Sequence, residues 1–303
     1  ADELDFDHLT CSEHIAVPVG GSGAESGRRG VTYWDPLSTL GFLAAHTHRI
    51  RLATSVIVLG YHHPLELAKR YGTLDRLSGG RVVLGVGVGS LAEEFELLGA
   101  IFDGRGARAD DAILALRASL STTRPEYDGT YFRFGGVAVE PCAVQARVPI
   151  WVGGRTARSL RRAVELADGW MPFGLTSAGM KDMLARVDTA PGFEVVLPSG
   201  RVFDVLADPT GTADRLSLLR DAGATSVTCT VAAESATHYC DQLAALRVVA
   251  DEFGHVLRSA RGAGANLHTH GELAVEKNLA SLLDDLCPDE RPEALCLGMA
   301  GVD

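Results

Sequence analysis

No run of eighteen apolar residues occurs in this chain, and its N-terminus, ADELDFDHLT, has neither a basic segment nor an apolar core after it. Those two absences argue against a membrane span and against a secretory signal. There is no CxxC pair and no zinc-ligand spacing among the six cysteines. In a chain this long they read as reduced core thiols of a cytoplasmic protein, Cys229 and Cys240 among them. The phosphate loop GxxxxGK[ST] is missing, and cation excess is missing too, since the net charge is −11. Nucleic acid and anionic membranes are therefore poor partners, which leaves small molecules.

What is present is organised around two stretches, RVVLGVGVGS (81–90) and PIWVGGRT (149–156). Each is an uncharged, β-branched run suited to a strand buried on both faces, and each runs into glycines that open a helix. Glycine there lets backbone amides approach a ligand, and the start of the following helix favours an anion. Gly85, Gly87 and Gly89 are spaced GxGxG, a poor match to the dinucleotide pattern GxGxxG. Either the two turns hold a ligand or they only turn tight corners.

Strand and helix patterns alternate about seven times along the chain. Leu4 and Phe6 fit the tail of a helix, and DHLTCSE fits a strand. A Gly/Ser-rich loop from Pro18 to Gly30 reads as an active-site lid or a surface loop. Asp35 caps a helix that has Pro36 in its first turn, RIRLATSVIVL (49–59) is a strand, and Pro64 to Leu77 is a helix. Ala92 to Leu98 reads as a helix with three glutamates on a solvated face, and YDGTYFRFGGVAVEP as a hairpin turning at Asp128-Gly129. Further strands are expected at PIWVGG, GWMPF, FEVVL and SVTCTVA (226–232). Such alternation predicts an α/β fold with a parallel sheet, and at 303 residues a TIM-type (β/α)8 barrel is the economical form. No strand pattern precedes DHLTCSE, so that barrel would lack its first strand and expose free edges at DHLTCSE and SVTCTVA.

Three blocks resemble one family: DPLSTLGFLAAHTHRIRLATSVIVL, LAKRYGTLDRLSGGRVVLGVGVGSLAEEFELLG and PIWVGGRTARSLRRAVELADGWMP. They are similar to the luciferase-like monooxygenase superfamily, and within it to the branch dependent on the deazaflavin coenzyme F420, over about residues 5–247. The resemblance implies a β/α barrel oxidoreductase passing a hydride between coenzyme F420, or alternatively FMN, and a small organic substrate. A homodimer is open on this reading. Thr54, Ser55 and Val56 would line the deazaflavin face, Gly87 and Gly89 would form the floor, and Gly153, Gly154, Arg155 and Thr156 would hold the phosphate. His14 would face the reacting ring. Hydride chemistry needs a proton donor near the substrate, and a histidine titrates near neutrality. Glu13 beside it is the second candidate. The alternatives for the pair are a surface histidine and a solvated or capping carboxylate. Asp168 in ADGW reads as a cap, and His62-His63 is not read as a metal pair because adjacent strand residues point apart.

From about residue 248 to 303 the chain resembles a fragment of BadF/BadG-type ATPases and N-acetylglucosamine kinases, with the family's DGGG-type phosphate loop missing upstream. A short foreign α/β piece joined to the barrel at 247/248 is the expectation. It keeps two other readings open, a ligand-binding remnant without catalysis and a phosphotransferase.

Overall fold

The structure, a computed structural model, describes residues 1–17, 32–252 and 260–265. The loop Pro18 to Gly30 lies outside the described residues, as do HGELAVEK and EALCLGM of the tail. In chain order the elements are β1 (His8–Cys11), α1 (Pro36–Ala45), β2 (Arg51–Thr54), β3 (Ile57–Val58), α2 (Pro64–Ser78), β4 (Val82–Gly87), α3 (Ala92–Leu97) and α4 (Arg105–Ser119). There follow β5 (Tyr127–Asp128), β6 (Arg133–Phe134), β7 (Ile150–Gly153), α5 (Ala157–Leu166), β8 (Gly169–Met171) and α6 (Ser177–Leu184). Last come β9 (Glu194–Phe203), α7 (Pro209–Asp221), β10 (Ser226–Val231), α8 (Ala236–Glu252) and β11 (Ala260–Ala265).

The main sheet runs β1-β2-β4-β7-β8-β9-β10-β11, with every neighbouring pair parallel. Because β11 also lies against β1, the eight strands curl into a nearly closed barrel with the helices outside. The free edge expected on SVTCTVA is not there: β10 is paired on both sides, to β9 and to β11. α8 runs across 247/248 to Glu252, and the next described residues supply β11.

Alternation along each strand builds two cores. Leu52, Val82, Leu84, Ile150 and Val152 face outward to the helices, whereas Ala53, Val83, Trp151, Met171 and Val196 face the barrel axis. Both faces are covered, which is why VVLGVG and IWVG carry no polar side chain and are buried throughout. The helix starts read from sequence hold. Asp35 Oδ1 accepts from Ser38 N at 2.7 Å, and α2 ends at Gly79, whose φ of 72° is the left-handed value glycine tolerates. Three local differences are small: residues 2–5 form turns where a helix tail was expected, β9 extends six residues beyond FEVVL, and the hairpin strands stop at Phe134. That hairpin turns at Asp128-Gly129 as expected, held by buried Asp111, which accepts from Tyr131 N, Phe132 N and the Tyr127 hydroxyl.

The LDRLSGGR block is structural. Asp75 accepts from Val144 N, Gln145 N and Gln145 Nε2, pinning the loop before β7 to α2. Arg81 donates to the carbonyls of Ala44, Thr47 and Ile50, closing the end of α1 onto the start of β2. Asp168 likewise ties Arg117, Arg147 Nε and Ile150 N together at the N-terminal end of β7, and so orients without facing the cavity. Cys11, Cys142 and Cys229 are buried thiols, with burial pushing Cys229 up to about 12, but Cys240, expected in the core, is exposed. No described helix is long and apolar enough to cross a membrane.

His8 sits on the barrel axis, fully buried, 5.2 Å edge-on from Trp151, with neither ring nitrogen hydrogen-bonded. Burial holds its pKa below the ordinary 6.5, outweighing nearby Asp7. The unfolded chain therefore binds a proton that the folded chain refuses, and stability falls as pH drops below about 6.5, by at most about 1.4 kcal/mol per unit. His8→Leu should flatten this part of the profile. The check is the midpoint of urea unfolding for both proteins between pH 7 and pH 5.

Candidate active site

At the strands' C-terminal ends the barrel opens into a cavity of about 1140 Å³. Its floor follows from a register break. Ala53 pairs with Val83 and Ile57 with Val86, so four steps on one strand oppose three on the other, a β-bulge centred on Thr54, Ser55 and Val56. The bulge, whose Ser55–Val56 peptide is cis, drives Val56 into the barrel mouth. A Cβ on Gly87 would meet Val56 Cγ2 at 2.6 Å, and one on Gly153 would meet Val56 Cγ1 at 2.8 Å. These two glycines are therefore required by Val56, and together the three make an apolar floor. Gly89, with φ of 78°, is instead packed against Phe95 and Val58.

Thr54 is not in the cavity wall. It is fully buried, with its Oγ1 donating to Gly85 O at 2.7 Å. Ser55, Val56, Gly87, Gly89, Gly153, Gly154, Arg155 and Thr156 all line the cavity, as do Glu13 and His14. Thr156 caps α5: its Oγ1 accepts from Ser159 N, and Ser159 Oγ accepts from Thr156 N. The first free amides of that ten-residue helix thus face the mouth beside Arg155, which is exposed, stacks 5.7 Å from Phe173 and has no ion pair among the described residues. Arg158 and Arg162, by contrast, share Asp110.

Two carboxylate–imidazole pairs stand at the end of β1, where consecutive residues point apart. Glu13 Oε1 meets His62 Nε2 at 2.8 Å, and Glu13 Oε2 accepts from Val58 N at 2.7 Å. Burial alone would lower the His62 pKa, but Glu13, helped by Glu66, outweighs it and raises the value. Neighbouring His63 caps α2 by accepting from Leu65 N. His14 Nδ1 lies 2.8 Å from Glu94 Oε2, and the ring packs edge-on to Tyr33 at 4.5 Å. Glu94 was missed at sequence level, where it belonged to the solvated face of α3. Only Glu93 and Glu96 are exposed; Glu94 is fully buried. The spacing Leu91, Glu94, Phe95 is the signal, since i, i+3 and i+4 share one helix face and the other two are apolar and buried. Although burial pushes its carboxyl pKa up, the His14 contact and the Ile15 and Ala16 amides more than reverse this, and Glu94 is held below the usual carboxylate range. No group of three potential metal ligands occurs among the described residues.

Comparison with known proteins decides the family. The model of the luciferase-like monooxygenases matches residues 1–302. The chain belongs to that family. Because the match runs to residue 302, kinship of the 248–303 segment with sugar kinases has no support. An uncharacterised protein of Mycobacterium tuberculosis is 32% identical over 244 residues, 78% of this chain and 85% of its own length. A 5,10-methylenetetrahydromethanopterin reductase of Archaeoglobus fulgidus is 29% identical over 181 residues, 59% of this chain and 52% of that protein. Among solved structures, the coenzyme F420-dependent tetrahydromethanopterin reductase of Methanopyrus kandleri superposes with a TM-score of 0.52 at 16% identity, covering 80% of this chain and 85% of its own. Monooxygenase RslO1 of Streptomyces bottropensis gives 0.58 at 23% identity, covering 87% of this chain and 82% of its own. These luciferase-like structures share the barrel. Family membership places the chain among the luciferase-like monooxygenases, and the solved reductase that shares its fold is described as dependent on coenzyme F420.

Proposed function

We propose that this luciferase-like protein is a hydride-transferring oxidoreductase that binds coenzyme F420 in preference to FMN and acts on a small organic substrate. The observation that carries this is the pairing of an apolar floor, Val56 between Gly87 and Gly153, with His14, held by a buried carboxylate, at the rim of the same cavity. A planar tricyclic ring suits that floor, and the residues present fit the group: the α5 amides and Arg155 would hold its phosphate. When bound, a deazaflavin supplies two-electron hydride chemistry and, unlike a flavin, does not activate oxygen. The preference draws on the F420-dependent reductase that shares the fold and on Arg105 and Arg155, the wall arginines with no ion pair among the described residues, which suit a cofactor with anionic groups.

The chain's own residues do the rest. Val56 and the glycines orient the ring plane, Tyr33, Tyr61 and Phe173 narrow the mouth, and His14 takes or gives the proton that accompanies the hydride. Fluorescence titration of the full chain with oxidised deazaflavin and with FMN tests the reading: tighter deazaflavin binding is expected, and equal or reversed affinity defeats the preference. Arg155→Ala should weaken deazaflavin binding by about 1.5–3 kcal/mol, the range for hydrogen bonds to charged groups. Thr156→Val should act on the helix cap more than on the cofactor, lowering stability by about 1 kcal/mol. Binding by Arg155→Ala equal to that of the parent would mean the glycine turn is only a corner.

A further inference from the structure

His14 and Glu94 are joined by more than one contact, and the way Glu94 divides its two oxygens has a chemical consequence. Oε1 accepts from Ile15 N at 2.7 Å and from Ala16 N at 3.1 Å, the two residues that follow His14. Oε2 is left for His14 Nδ1 alone. An ionised carboxylate has no proton to give, so the ring nitrogen facing it must be the donor. With Nδ1 so engaged, no hydrogen bond to Nε2 is made among the described residues, and His14 borders the cavity with its side chain about one-fifth exposed.

We propose that Glu94 is a positioning residue that fixes the tautomer of His14: the proton stays on Nδ1, and Nε2 meets the cavity as a lone-pair acceptor. The ligand group that His14 recognises is then an O–H or N–H donor. The same carboxylate clamps the chain at Ile15 and Ala16, so ring orientation and tautomer are set together from α3. Its effect on turnover rests on the hydride-transfer reading; the tautomer itself does not. In the oxidative direction of that reading a carbinol would lose its C–H hydride, both electrons leaving with it, by the chemistry a bound oxidised deazaflavin would supply. The O–H proton passes to Nε2, C=O forms, and Glu94 stabilises the imidazolium. In reverse, Nε2–H would return the proton to the carbonyl oxygen, the hydride being what a bound reduced deazaflavin would supply. Glu94 has no contact with the reacting atoms in this scheme.

Glu94→Gln separates this from a structural role. The two backbone amides require an oxygen, so the glutamine carbonyl stays on Ile15 and Ala16, and its NH₂ turns to His14. An amide donor facing Nδ1 obliges that nitrogen to accept, which moves the ring proton to Nε2. Shape and clamp are kept while the hydrogen bond reverses.

The readout is a long-range ¹H–¹⁵N spectrum of the imidazoles in the ¹⁵N-labelled full chain with the ring neutral, His14 being assigned by its loss in His14→Gln. The parent should show a protonated Nδ1 and a bare Nε2, and E94Q the opposite. A proton on Nε2 in the parent overturns the proposal, as does an unchanged tautomer in E94Q. Should E94Q not fold, the parent spectrum decides alone. On a substrate the parent turns over, E94Q should lose roughly 10²- to 10⁴-fold in kcat with KM little changed, as for a misplaced general base. Absence of any deazaflavin binding by the parent would end the functional reading and leave the tautomer result standing.

Discussion

His14→Ala is expected to lower turnover by roughly 10²- to 10⁴-fold, the contribution of one positioned general acid–base, while leaving deazaflavin affinity nearly intact. The reason lies in where its neighbours belong. On the proposed reading the floor is Val56 with Gly87 and Gly153 and the phosphate end is α5 with Arg155, whereas the His14 ring is held by Glu94 and Tyr33. Removing the imidazole therefore removes a proton carrier without removing the platform. Glu94 keeps its ties to Ile15 N and Ala16 N in the variant, so the loop after β1 retains its anchor. Single-turnover hydride transfer and fluorescence titration of the same preparation separate the two effects. A fall in affinity as large as the fall in rate would mean that His14 binds the cofactor and moves no proton.

Gly85→Ala should cost about 3 kcal/mol of stability, the upper range for an overpacked core. A Cβ there would stand 1.9 Å from the carbonyl oxygen of Thr54, a backbone atom locked by the bulge and unable to rotate away. The bulge cannot give, since Ser55 N is held by Cys11 O at 2.8 Å and Thr54 Oγ1 by Gly85 O. Gly41→Ala is the contrast. It lies inside α1 with nothing within 4 Å of the added carbon, so helix propensity predicts a gain of about 0.5–1 kcal/mol. Chemical denaturation of the two variants beside the parent measures both. If Gly85→Ala unfolds like the parent, the bulge is softer than its contacts imply.

The inner strands were legible because strands buried on both faces leave a plain record: VVLGVG and IWVG have no polar residue to confuse the pattern. The helix cap at Asp35 was legible for the same local reason. What was hidden depended on contacts distant in sequence. Glu94 looks like its neighbours Glu93 and Glu96, and only the return of Ile15 and Ala16 to its carboxylate tells it apart, nearly eighty residues away. Thr54 was placed on the cofactor face because the bulge that turns it inward is a register mismatch between β2 and β4, which no single strand records. The same holds for ARGAGA: its composition says little about a strand, and its place beside β10 is a matter of what the barrel leaves open. Gly87 and Gly153 were read as making room for a ligand, whereas the atoms closest to their missing side chains belong to Val56.

The claim on which all of this stands is that the cofactor lies in the cavity over the Val56 bulge. Hydrogen exchange of the full chain, with and without saturating oxidised deazaflavin, tests it most directly. Slowed exchange is predicted at 54–58, 87–90 and 153–158, with the N-terminal end of the barrel around Asp168 and Arg81 unchanged. Protection confined to other segments, or none despite saturable binding, would contradict it.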